Sequence, residues 1–152
     1  MRNPNWTEED IYRVAERGHW LHLQGRYLEA AIIFQGLVAA DPEDRYSREA
    51  LAAAWLALGQ PERAIEHLDY WLSREPSDLA MRSRRMEAYL LSGNFSAAVR
   101  DFEYLRKVLP THQVRRLELT LEVSARNPAL FSGGSYDNNG GSYDKNDNRR
   151  VL

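Results

Sequence analysis

The sequence contains no cysteine. That absence excludes a disulfide framework, a thiol nucleophile and thiolate metal sites. Positive charge is also in short supply: 20 basic against 22 acidic side chains leave a formal net charge of -2. A duplex-binding surface gains affinity by displacing counterions with a surplus of cations. No such surplus exists here, so no nucleic-acid partner is expected. No apolar run approaches the roughly eighteen residues of a spanning helix. The opening Met1-Arg2-Asn3-Pro4-Asn5-Trp6 carries no apolar core of the secretory kind. The expectation is a cytoplasmic chain with no membrane insertion.

Catalytic patterns are missing as well. There is no GxSxG, Walker A, GxGxxG or HExxH arrangement, and no nucleophile is written beside a base. His19 and His22 lie three apart, with Glu16 one turn before His19, and could share a metal. No third ligand follows at helical spacing, so they read as ordinary hydrogen-bonding histidines. His67 and His112 are isolated. Glu62, Glu66 and Asp69 share a helix face of the common solvated kind. These readings predict no catalytic residue, no metal and no cofactor: the chain is not expected to be an enzyme.

What is present is a core and a period. Apolar residues make up 43 % of 152 residues, enough for one domain. Gly25, Gly59 and Gly93 are spaced by 34 residues, as are Ala30, Ala64 and Ala98, and Pro42, Pro76 and Pro110. Phe34, Leu68 and Phe102 keep the same register, and so do Leu37, Trp71 and Leu105. Each series has a physical reading. The glycine suits a tight turn between two helices. The alanine, five residues later, lets two helices approach. The aromatic or leucine four residues on falls on the same helical face and fills the space between them. The proline cannot continue the second helix.

A 34-residue period with these positions resembles the tetratricopeptide repeat (TPR) family. The resemblance runs over roughly 11 to 110. It implies an all-α fold, a solenoid of helical hairpins with repeats at 11–44, 45–78 and 79–112 after a lead-in at 1–10. The family often has tryptophan at the fourth position and leucine at the seventh. Here those positions read Val14, Arg48 and Arg82, and Arg17, Leu51 and Arg85. The arginines are expected to run along the helix with their heads in water.

Thr7-Glu8-Glu9-Asp10 reads as a helix start of the capping-box kind. After Pro110, Thr111 is expected to cap a further helix over 113–127. Val114, Leu117 and Leu121 share one face of it, to cover the apolar flank of the last repeat, and Arg115, Arg116, Glu118 and Glu122 suit solvent. Asn127-Pro128 ends it. Residues 128–152 are rich in Gly, Asn, Ser and Asp, with Gly-Gly-Ser-Tyr-Asp at 133–137 and 140–144. They cannot bury enough apolar surface to offset ordering entropy, and a flexible tail is expected. A docking peptide is the functional alternative. Asp144-Lys145-Asn146-Asp147-Asn148 has a weak likeness to a calcium loop but lacks its sixth-position glycine and closing glutamate.

First helices of TPR repeats line a concave surface that takes peptides, and the resemblance assigns that role by register. Repeat 1 offers Tyr12, Ala15, Glu16, His19 and His22. Repeat 2 offers Tyr46, Glu49, Ala50, Ala53 and Leu56, and repeat 3 offers Ser83, Arg84, Glu87 and Leu90. Ala50, Ala53 and Leu56 could equally pack against neighbouring helices. The carboxylate clamp of some TPR proteins needs lysines and asparagines where this chain has Ala15, His19, Ala50 and Ala80; only Arg84 fits, so that mode is rejected. A wall of alanines beside Tyr46 and Leu56 better suits an extended, partly apolar segment.

Gly18-His-Trp-Leu-His-Leu-Gln-Gly-Arg-Tyr27, Ile33-Phe-Gln-Gly-Leu37, Asp41-Pro-Glu-Asp-Arg45 and Ala54-Trp-Leu-Ala-Leu-Gly-Gln60 are similar to the three-repeat chaperones of bacterial type III secretion systems. That resemblance implies a cytosolic chaperone. It would hold a translocator or export-apparatus subunit as a heterodimer and keep it soluble before export. Only about ten residues precede the first repeat, where such chaperones often carry a longer dimerising helix. Homodimerisation is therefore left open. The alternative reading is a constitutive TPR adaptor or assembly scaffold with no export role.

Overall fold

A computed structural model describes residues 6–128. Among these, seven helices occur and no strand: α1 (Glu8–Leu23), α2 (Tyr27–Ala40), α3 (Arg45–Ala57), α4 (Pro61–Leu72), α5 (Leu79–Leu91), α6 (Phe95–Leu105) and α7 (Thr111–Arg126). Each helix packs chiefly on its sequence neighbours, with lesser contacts of α1 on α3 and α3 on α5. The first six form three successive hairpins, and α7 lies against α6. The proposed tail and its calcium-like stretch lie outside the described residues.

The glycine series closes the hairpins. Gly25, Gly59 and Gly93 have φ of 76°, 69° and 76°, the left-handed region that glycine enters without cost. In all three turns the residue after the glycine donates its N–H back to the helix: Arg26 to Leu21, Gln60 to Trp55 and Asn94 to Tyr89, at 2.9, 2.9 and 2.8 Å. The glycine N–H groups bond to His22, Leu56 and Leu90, completing the paired bonds of a Schellman end. The alanines Ala30, Ala64 and Ala98 are fully buried at the hairpin contacts. Gly18 serves the first contact in another way. A Cβ there would stand 2.9 Å from the Phe34 ring, so α1 and α2 sit closer than an alanine allows.

The core falls in two parts. The larger is built from α1 to α5 around Phe34, Leu51, Leu68 and Trp71. The smaller gathers Met86, Leu90, Phe102 and Leu105, with Val114, Leu117 and Leu121 of α7 packed against it. That is the covering role expected of the terminal helix. Thr7 and Asp10 form the expected capping box, with N–H···O distances of 3.1 and 3.0 Å. Thr111, by contrast, does not cap α7. It is the first helical residue, and Pro110 holds the cap position with no side-chain bond.

The repeat arginines overturn the expectation of hydrated heads. Arg48 is 4 % exposed. Its guanidinium donates to the Pro42 carbonyl at 2.6 Å and lies 3.8 Å from the Tyr70 ring centroid. Arg82 does the same one period later, to Pro76 at 2.6 Å and over Tyr104 at 4.0 Å. The carbonyl before the next helix would otherwise lack a partner, and the tyrosine face favours a cation. Arg85 is held by Asp101 at 2.7 and 2.8 Å and by Asp69 at 2.7 Å, bonds that raise its pKa. Only Arg17 of this set is exposed as expected.

Candidate functional site

Helices α1, α3 and α5 set their outward side chains along one side of the array. A depression of about 280 Å³ on this side is lined by His19, His22, Phe34, Tyr46, Glu49, Ala50, Ala53 and Arg84. A larger cavity of about 760 Å³ adjoins it and shares His19 and Tyr46. Tyr12, Ala15 and Glu16 line the larger cavity with Trp6, Ile11, Trp20 and Leu23. The structure thus gathers most of the residues assigned by register into one continuous surface.

Four assigned residues fall elsewhere. Leu90 is 1 % exposed and belongs to the second core cluster; it offers no surface to a partner, because α6 and α7 cover the end of α5. Leu56 is half-buried and packs on the first core. Glu87 is exposed but lines neither depression. Ser83 is turned to its own helix, its hydroxyl donating to the Leu79 carbonyl at 2.8 Å.

Phe34, from a second helix, was not legible as a groove residue. Its ring meets Tyr46 edge-on at 6.1 Å between centroids, fixing the tyrosine at the junction of the two depressions. The contribution of Trp6, ahead of the first helix, was also missed. An isolated tryptophan before a cap carries no periodic signal.

The polar side chains form a ladder between repeats. Arg45 donates to Glu49 at 2.8 Å and to Asp78 at 2.6 and 3.0 Å. Glu49 in turn faces Arg84 at 3.5 Å. Arg84 is loosely held: its other ion pair, to Glu87, is 3.7 Å long, and its buried Nε has no partner. His22 packs edge-on against Tyr27 at 5.0 Å. Burial, then the nearby His19 and Arg84, push its pKa below the ordinary histidine value. Burial raises the pKa of Tyr46. Among the described residues no group of three or more His, Asp or Glu side chains could hold a metal, and no helix is long and apolar enough to cross a membrane. The surface is equipped for contact: alanine-floored, ringed by aromatics, with a few fixed polar groups.

Stacked helical hairpins with a glycine turn and a 34-residue period define this as a TPR-like all-α protein. The chain belongs to the bacterial transcriptional activator domain family, whose model matches residues 39–121. Solved structures share its fold. PcrH from Pseudomonas aeruginosa superposes with a TM-score of 0.69 at 22 % identity, over 82 % of this chain and 96 % of that one. PcrH in complex with the chaperone binding region of PopD gives 0.69 and 22 %, over 84 % and 98 %. The TPR domain of P58(IPK) gives 0.65 and 21 %, over 79 % of this chain but 35 % of that one.

Proposed function

We propose that this chain is a protein-binding chaperone of the cytoplasm that holds an extended segment of a client along its concave side. The client is a type III secretion subunit, kept soluble until export. The observation that carries this reading is the continuous surface running from Tyr12 and Ala15 through His19 and Tyr46 to Ala50, Ala53 and Arg84. Small side chains leave room for apolar anchors, and Arg84 and Glu49 stand ready for main-chain or polar groups. PcrH, of like fold, has been seen with the chaperone binding regions of PopD and PopB. Nothing in this arrangement calls for catalysis.

The test is co-expression with a translocator-type subunit encoded beside it. The client should be soluble with the chaperone and aggregate without it, and a peptide from the segment that the chaperone holds should compete. A client equally soluble alone would defeat the reading.

The family match over 39–121 favours a second reading, a constitutive adaptor or assembly scaffold with no export step. A scaffold binds partners already folded, so isolated client peptides should not compete with the intact partner.

A further inference from the structure

Three exposed side chains of α1 form a line that the other repeats lack. Tyr12, Glu16 and Trp20 are spaced by four residues, so they share one face of the helix, each one turn from the next. All three line the larger cavity. One period later the same positions read Tyr46, Ala50 and Ala54, and two periods later Ala80, Arg84 and Ala88. Ala54 and Ala88 are fully buried, whereas Trp20 is 54 % exposed. Helix α2 packs on α3 and α4 packs on α5. Among the described residues no helix stands in that place before α1, so Trp20 keeps an open face.

Charge adds an independent observation. Glu16 is exposed and, among the described residues, makes no hydrogen bond or ion pair. The arginines beside it in sequence are directed elsewhere: Arg13 to Glu9 at 2.5 Å, and Arg17 toward Glu29. The α2–α3 end of the cavity carries charge of the same sign. Asp44 accepts from neutral groups, the Tyr46 N–H and the Ser47 hydroxyl, so these bonds leave its charge in place. Arg45, the guanidinium in the cavity lining, is bound to Asp78 and Glu49.

We propose that this face anchors one basic side chain, lysine or arginine, of the client segment, its cation on Glu16 and its stem between the Tyr12 and Trp20 rings. The inference rests on the concave-surface reading above and narrows the chemistry of the client. A cation gains from aromatic faces as well as from a carboxylate, and the apolar stem of a basic side chain packs on the rings. The groove offers one such anchor. At the same register position Ala50 carries no charge, and Arg84 repels a cation. A client with one basic residue followed by apolar ones is therefore held in one register: the basic side chain over α1, the apolar side chains over Ala50 and Ala53.

Fluorescence anisotropy with the full chain and three short labelled peptides tests this. The peptides share an alternating leucine–alanine run and differ in one residue ahead of it: lysine, glutamine or glutamate. Wild type should hold the lysine peptide about tenfold tighter than the glutamine peptide, and the glutamate peptide most weakly. Glu16→Gln should erase that preference, and Glu16→Lys should turn it toward glutamate. Both should melt as wild type does, because Glu16 has no partner to lose. Trp20→Leu should narrow the gap between lysine and glutamine without weakening the glutamine peptide. Tyr46→Ala, at the junction of the two depressions, separates this inference from the groove itself: it should weaken all three peptides alike. Wild-type affinities that ignore the charge of the variable residue, yet fall in Tyr46→Ala, overturn the anchor and leave the groove standing. A lysine preference that survives Glu16→Gln overturns the anchor too. Affinities untouched by Tyr46→Ala overturn both. Binding of none of the three overturns the anchor, and co-expression with the client still judges the groove.

Discussion

Arg82 meets Asp101 at 3.0 Å in the position where, one period earlier, Arg48 meets His67 at 3.5 Å. The same scaffold contact is an ion pair in repeat 3 and an arginine–imidazole contact in repeat 2. The two repeats should therefore respond differently to mutation and to acid.

Asp101 is 2 % exposed and accepts from both Arg82 and Arg85. Asp101→Ala leaves two guanidinium groups near the core without their anion. Breaking a buried pair from one side costs about 3–5 kcal/mol, so a fall of that order in unfolding free energy is expected by urea titration. A loss within a few tenths of wild type would place these charges in water.

His67 is half-buried, and its Nδ1 faces Arg48, so it accepts and is held neutral. Burial first, then Arg48, lowers its pKa, against a smaller opposing effect of Glu66. His22 shifts the same way. A folded-state pKa below the unfolded value means that the unfolded chain binds more protons, so stability rises with pH through this window. Melting temperature should fall as pH drops below about 6.5, and His67→Gln should flatten that slope. An unchanged slope in the variant would assign the acid sensitivity elsewhere.

Gly59→Val should destabilise by about 1–3 kcal/mol through backbone strain, because φ is 69° there and the residue is β-branched. No neighbour lies within 4 Å of the added Cβ, so the cost is conformational, and Gly59→Asn should recover part of it. Thermal melts of the two variants check the order.

At the concave surface, Ala53→Glu should weaken client binding by about tenfold or more while leaving the melting curve nearly unchanged. Its carboxylate would lose water against an apolar segment. Tyr46→Ala should weaken binding through lost contact area, and the convex Glu66→Ala should not. Titration of a labelled client peptide, beside a melting curve for each variant, separates binding from folding. Normal binding by both groove variants would move the client to another surface.

The fold was largely legible because each 34-residue series has one physical job: a turn, a close contact, a filler or a stop. The buried arginines were misread because an isolated side chain gives no sign of its acceptor. Yet Pro42, Arg48 and Tyr70, and then Pro76, Arg82 and Tyr104, are series of the same period. Asp44 and Asp78, which cap α3 and α5 by accepting from Tyr46 and Met81 at 3.1 Å each, are another. Register places the assigned residues of α1, and those of α3 apart from Leu56, on the open outward face. On α5 it does so for Arg84 but not for Leu90, whose burial depends on how α6 and α7 close over it.

Because each helix rests mainly on its sequence neighbours, the free chain consists of short-range contacts and can complete one hairpin before the next is present. Its two ends share little direct contact, so they are free to open separately. A segment lying across α1, α3 and α5 would supply long-range connections that the chain itself lacks. Occupancy would then appear as cooperativity: amides at the two ends, exchanging independently when free, would exchange together when bound.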